Sequence, residues 1–192
     1  MPQEVIQTED IKIIRASENE IKGLSQELEK LLEDKKGALY RDSVEKFGIP
    51  ENYARKAFSE ENLLKTAKSG KASFYLALEH NREMLGFSEV IKHDSSKAEL
   101  DRLVIFPGHE RKGIGTKLLE RAISDLEQEG VRTIEVRAGK DEAHARAFYE
   151  KNGFKKTADE IFKSPWGKNI PLVLYSHKLT PINRRLGQKS TK

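Results

Sequence analysis

Residues 103–116 read LVIFPGHERKGIGT: an aliphatic run, a Pro-Gly breaker, a polar basic loop and a Gly-Ile-Gly entry into a helical pattern. Strand, glycine-bearing loop and helix N-terminus in that order make an anion site. Loop amides and helix dipole both point at whatever occupies it. Spacing excludes two common phosphate loops. A P-loop would need Gly-Lys-Ser/Thr after four residues from Gly108, but Gly113 is followed by Ile114. A dinucleotide turn would need a third glycine at position 118, where Leu118 stands. On the glycines alone, an ordinary structural turn fits as well as a binding loop. Candidate proton carriers flank the loop. Glu99 and Asp101 are two apart on one strand, which predicts a shared face continued by Leu103 and Ile105. Glu89 lies on the strand before. Downstream, Tyr149 follows Phe148 in a helical run. A phenol of pKa about 10 keeps its proton at neutral pH and can donate it, although an aromatic at such spacing ordinarily packs in a core.

These residues need elements to hold them. Ile11–Arg15 reads as a first strand, and Ser17 with Glu20 as a capping box for a helix whose apolar stripe is Ile21, Leu24, Leu28, Leu31 and Leu32. Gly37 and Gly48-Ile49-Pro50 punctuate a further helical region, and Ser59 caps a short helix that Gly70 closes. The period then changes. Phe74–Leu78, Met84–Ile91 and Ala98–Ile105 form an antiparallel meander with polar turns between them. A helix from Gly113 to Gly130 leads to a strand at Thr133–Arg137, with Ile134 and Val136 on one face. Asp141 is placed to cap a helix to Asn152, and strands at Phe154 and Leu172–His177 follow. The predicted order is β-α-α-β-β-β-α-β-α-β-β. The passage from Val104 to Val136 has the length of a parallel crossover. The expected fold class is therefore α/β, an α+β mixed sheet with helices on both faces. The expected organisation is an extension at 1–10, one domain at 11–179, and a basic, flexible tail at 180–192.

The formal charge is +4. Arg184, Arg185, Lys189 and Lys192 account for all of it, so the domain is formally neutral and a nucleic-acid face is not expected beyond the tail. Cysteine is absent, which removes disulfides and thiolate metal sites, and the histidines show no metal-ligand spacing. No apolar run approaches the roughly 20 residues that span a bilayer. The first residues lack the pattern of a signal peptide. No membrane association and a cytoplasmic location are expected.

Two sequence stretches together suggest a known family. Leu103-Val104-Ile105-Phe106-Pro107 leads into Glu110-Arg111-Lys112-Gly113-Ile114-Gly115, and Ala147-Phe148-Tyr149 leads to Gly153-Phe154. The chain resembles the GNAT superfamily of acyl-CoA-dependent N-acyltransferases over about residues 10 to 179. Within it, the FSEENLL, KAELDRL and PLVLYSHKL segments look similar to the spermidine/spermine-type acetyltransferases of bacteria and archaea. Two positions depart from the family pattern: Glu110 replaces Gln or Arg, and His144 replaces a frequent Asn.

The resemblance implies acetyl-CoA as donor and no metal. It places the pyrophosphate on Glu110, Arg111, Lys112, Gly113, Ile114, Gly115 and Thr116, with His144 nearby. It sets the pantetheine along the edge of Leu103, Val104 and Ile105, with a backbone N–H of Val104 or Ile105 facing the thioester oxygen. Tyr149 becomes the general acid beside the coenzyme and Glu99 the candidate base, followed by Asp101 and Glu89. The acceptor it implies is a primary amine of a small molecule, a polyamine first. A protein N-terminus or an aminoglycoside is the alternative within the class. A CoA-binding module without catalysis is the alternative outside it, and a homodimer is compatible with either.

Overall fold

The structure, a computed structural model, describes residues 11–182, so the expected extension at 1–10 and tail residues 183–192 lie outside the described residues. A seven-stranded sheet runs in the order β1-β2-β3-β4-β5-β7-β6. Its strands are β1 Lys12–Arg15, β2 Ala72–Leu78, β3 Met84–Lys92, β4 Lys97–Ile105, β5 Thr133–Gly139, β6 Lys155–Lys163 and β7 Asn169–Lys178. Among the described residues only β4 and β5 pair in parallel, across the helical crossover read from the sequence; the other neighbours are antiparallel.

Helices cover both faces. On one, α1 (Glu18–Glu33), α2 (Ala38–Tyr40), α3 (Glu51–Phe58) and α4 (Glu60–Lys68) bury Ile21, Leu24, Leu28, Phe58 and Leu63 against Phe74, Leu76 and Phe87. On the other, α5 (Ile114–Gln128) buries Ile114, Leu118, Leu119, Ala122 and Leu126 against Ala98, Leu100, Ile134 and Val136, and α6 (Ala143–Lys151) adds Tyr149. Each fully buried leucine contributes roughly 1.5–3 kcal/mol, which is why periodicity alone located α1 and α5.

Three expectations change. Residues 38–58 contribute more helix than foreseen: α2 continues as a wider π-wound turn at Arg41–Lys46, and α3 starts directly after Pro50. The N-cap of α6 is Glu142 rather than Asp141 and brings no side-chain bond to the helix; its carboxylate instead accepts the Gly139 N–H at 2.7 Å. Thr180 and Ile182, assigned to the tail, donate to Glu127 of α5 at 2.9 and 3.0 Å.

The fourth change bears on chemistry. In β4, Leu100 pairs with Val90 and Arg102 with Glu89, which leaves Asp101 as an extra residue in a β-bulge. A bulge shifts the side-chain alternation by one. Ala98 and Leu100 face the α5 side before it, Leu103 and Ile105 after it. Glu99 therefore does not share a face with Leu103 and Ile105, contrary to the simple alternation.

Candidate active site

The bulge falls where β4 leaves its parallel neighbour. The last β4–β5 pair is Leu100 with Val136; beyond it β4 pairs only with β3, and Arg137–Gly139 pair only with β7. A wedge-shaped gap opens between them. Phe106 N–H donates to Leu85 O on the β3 side at 2.9 Å. Successive peptide groups of a strand alternate direction, so the polar groups of Leu103 and Ile105 face the gap. Val104 instead turns its backbone toward β3 and its side chain into the core beneath α1–α4. Of the two N–H groups named from the sequence, that of Ile105 faces the gap and that of Val104 does not; the Leu103 N–H faces it as well.

The loop at the mouth of the gap is tightly wound. Gly108, Arg111 and Gly113 all have positive φ, at 86°, 61° and 74°. For Arg111 that conformation costs roughly 1–2 kcal/mol. Gly113 is the N-cap of α5 and brings no side chain to it, and the first turn carries no acid. The first amides of α5 lack intrahelical acceptors by construction. Glu110 does not oppose an anion at those amides, because its Oε2 accepts the Gly108 N–H at 3.0 Å and folds back within the loop. Gly115 seats the helix: a Cβ there would stand 3.3 Å from Phe148 Cζ and 3.8 Å from Leu103 Cδ2. One glycine thus joins the loop, the gap edge and α6.

On α6, Tyr149 is 8% exposed. Its ring packs against Phe148, Phe154 and Tyr175 at centroid distances of 5.3, 5.7 and 6.3 Å. Burial raises its pKa well above the ordinary phenol value, and the Glu142 carboxylate adds to this. The phenol is therefore both a core aromatic and a firmly protonated donor. His144 is exposed, at the start of the same helix.

The acids lie on the other side of the sheet. Glu99 Oε1 accepts from Arg137 Nη1 at 2.6 Å, its Oε2 meets His93 Nε2 at 2.9 Å, and Arg137 Nε also reaches Glu160 at 2.9 Å. Asp101, at the bulge, sits 3.3 Å from Arg102 Nε, and Arg102 Nη1 is 3.1 Å from buried Glu89. Glu99, Arg137 and Glu160 line a groove of about 690 Å³ together with Ile161, Phe162 and Leu172. From Phe162 an aromatic chain leads away from the groove. Trp166, in the β6–β7 turn, lies 6.1 Å from Tyr53 and 6.4 Å from Phe162, and its Nε1 donates to Phe47 O at 3.3 Å. Lys46, at the end of the π-wound turn, closes onto Glu142 at 3.1 Å. Residues 46–48 therefore tie the end of the π-wound turn to the start of α6 and to the β6–β7 turn.

The structure thus groups the sequence candidates into two sets: loop, gap edge and Tyr149 on one, Glu99, Asp101 and Glu89 on the other. Sequence reasoning missed Arg102, Arg137, Glu160 and Lys46. Arg137 had a signal: it stands opposite in phase to Ile134 and Val136. Among the described residues, no group of three or more His, Asp or Glu could hold a metal ion, and no helix is long and apolar enough to cross a membrane.

Among the described residues the mixed sheet thus splits at its one parallel pair, with a helix N-terminus at the mouth of the split. The chain belongs to the acetyltransferase (GNAT) family, whose sequence model matches residues 29–154. A spermidine N(1)-acetyltransferase of Thermoplasma acidophilum is 31% identical over 108 residues, 55% of this chain and 66% of the relative. A ribosomal protein bS18-alanine N-acetyltransferase of Escherichia coli is 33% identical over 94 residues, 48% of this chain and 63% of the relative. Both matches span slightly less than two thirds of the relatives' own length. The fold is similar to that of PaiA N-acetyltransferase from Thermoplasma acidophilum, crystallised with coenzyme A, with a TM-score of 0.65 and 23% identity over 88% of this chain and 98% of that one.

Proposed function

We propose that this protein transfers an acetyl group from acetyl-CoA to a primary amine of a small molecule, with a polyamine as the first acceptor to test. The observation that carries this is the pairing of the split between β4 and β5 with the acid-free N-terminus of α5 at its mouth. Residues 110–116 and the first amides of α5 suit a pyrophosphate, since Glu110 is folded away and no side chain at Gly113 or Gly115 fills the cradle. The gap-facing edge at Leu103 and Ile105 suits the amides of pantetheine. Bound acetyl-CoA would supply the thioester that the amine attacks. The Ile105 or Leu103 N–H would stabilise developing negative charge on oxygen, a contribution of about 3 kcal/mol for one such donor. Tyr149 is the proton donor to the leaving sulfur, and Glu99 with Arg137 shapes the floor of the acceptor groove. Cytoplasmic action fits this reading.

A second acceptor, the α-amine of a protein N-terminus, draws support from the groove itself. Its acids are partly balanced by Arg137, and Ile161 and Phe162, which line it, are 61% and 45% exposed. An apolar rim suits a peptide side chain better than a bare polycation. Thiol release measured on polyamines, aminoglycosides and N-terminal peptides tests both readings. Turnover confined to polyamines supports the first, and turnover confined to peptides the second. Tight CoA binding without turnover on any amine would favour a non-catalytic module.

A further inference from the structure

The two edges of the sheet are finished differently. β1 is four residues long, and Arg121 Nη1 donates to its outward carbonyl, Ile13 O, at 3.3 Å. β6 runs for nine residues, and among the described residues it pairs with β7 alone. Pro171 O accepts the Lys140 N–H at 3.0 Å, so Pro171 turns its backbone toward β5. Ile161, paired with Pro171, therefore turns its N–H and C=O to the open edge, and by alternation so do Asp159 and Lys163. Ile161 is also the most exposed large apolar side chain of the described residues. A long edge of this kind is a template for another strand.

The side chains on the edge fix which strand fits. Asp159, Ile161 and Lys163 share one face of β6. The Asp159 carboxylate is half-exposed and meets only the exposed Lys156 and Lys140, at 2.6 and 3.7 Å. Lys163 is exposed and makes no ion pair among the described residues. An acid and a base placed symmetrically about an isoleucine match their own sequence run in reverse. A two-fold axis through Ile161 sets it against the partner's Ile161 and each Asp159 against the partner's Lys163. All three residues carry outward backbone groups, so each pair also exchanges main-chain hydrogen bonds. On the other face Glu160, which lines the groove, stands opposite the partner's Phe162.

Neighbouring registers are worse. An axis at Glu160, Asp159 or Lys163 sets that residue against its own copy, and like charges directly opposite destabilise a pair. An axis at Phe162 leaves Asp159 opposite Pro165, beyond the end of the strand. Lysines on an edge repel a strand at random, but in the register centred on Ile161 the lysine meets an acid. We propose that β6 is a dimerisation edge: two copies of this chain pair their β6 strands antiparallel about Ile161, and the partner's Phe162 joins the wall of each groove. A pairing over 159–163 buries less than the roughly 1,200 Å² of a tight interface, so the dimer is weak and concentration-dependent.

Sedimentation velocity of the full chain over about 5–500 µM tests this. It reads mass and not turnover, so its outcome is separate from the acetyltransferase reading. The wild type should pass from monomer to dimer across that range. Lys163→Asp sets carboxylates against each other in both outer pairs and should raise the dimer Kd about tenfold or more. Adding Asp159→Lys to Lys163→Asp restores opposite charges and should return the Kd to within about threefold of wild type. Ile161→Pro removes the central outward N–H and leaves the β6–β7 bonds in place. It should stay monomeric at every concentration, with circular dichroism checking that it folds. If it does not fold, the charge swap carries the test alone. A dimer indifferent to Lys163→Asp, or a swap that fails to restore it, overturns the proposal. A wild type monomeric throughout overturns it as well, and slow hydrogen exchange at the outward β6 amides of that monomer would give the edge to another segment of the chain.

Discussion

The donor side and the acceptor side of the split sheet are built from different materials. On the side proposed for the donor the available groups are main chain: the amides at the start of α5, the free edge of β4 and a loop wound through three positive-φ residues. Its side chains mostly keep out of the way, as Glu110 and the two glycines do. On the acceptor side nearly every feature is a side chain reaching across the fold. Lys46 meets Glu142, Trp166 meets Phe47, and Arg137 joins Glu99 to Glu160. A backbone site needs a short run of chain in one conformation. A side-chain site needs residues from five or six elements at once.

This contrast predicts variants that damage one side and spare the other. The largest effect belongs to Tyr149, on the α5 side of the sheet with the loop and the gap edge. Tyr149→Phe keeps the packing against Phe148, Phe154 and Tyr175 and removes only the hydroxyl. We expect kcat to fall about 10²-fold or more while acetyl-CoA Kd stays within twofold, as read by steady-state kinetics and calorimetry. An unchanged kcat on the true acceptor would leave Tyr149 as a core aromatic. Gly115→Val comes next. Its side chain would press on Phe148 and Leu103, and overpacking of that kind costs typically 1–3 kcal/mol. Acetyl-CoA Kd should therefore rise about tenfold or more. If acceptor KM moves instead and Kd does not, the two sides are not separable at α5.

The same contrast explains what could be read from the chain. Repeating apolar positions gave α1, α5 and the meander, since burying one face is a local requirement with a fixed period. The loop at 108–115 was visible because positive φ calls for glycine and the glycines sit at fixed distances from a strand end and a helix start. Tyr149 was not separable from a core residue by spacing, and became a candidate only through the family resemblance. The bulge at Asp101 left no trace: an inserted residue has no composition of its own, yet it turned Glu99 away from Leu103 and Ile105. The acceptor side was least legible. The tie between Phe47 and Trp166 depends on how residues more than a hundred apart meet, and no local pattern encodes that.

A test on the acceptor side isolates it from the donor side. Trp166→Ala removes the ring that joins Tyr53 to Phe162 and the indole tie to Phe47. Loss of an aromatic anchor of this kind is worth about 1–2 kcal/mol, so acceptor KM should rise roughly tenfold. The KM for acetyl-CoA should not change. Equal rises in both would mean that residues 46–48 and the β6–β7 turn also hold the coenzyme.

The smallest expected effect is the most informative about the loop. Glu110 is the one residue whose charge has the wrong sign for a pyrophosphate cradle. If its carboxylate faced the phosphates, Glu110→Gln would relieve repulsion between close like charges and tighten acetyl-CoA binding by more than tenfold. The structure commits that carboxylate to the Gly108 N–H, and the Gln carbonyl can accept the same bond. What remains is the loss of one exposed charge near an anion, worth about 0–1 kcal/mol and screened by salt. Acetyl-CoA Kd should therefore tighten by about threefold or less at low salt, and the difference should shrink as salt is added. A tenfold gain that persists at high salt would mean that the loop turns Glu110 toward the ligand, and that the main-chain amides of α5 bind against a fixed opposing charge.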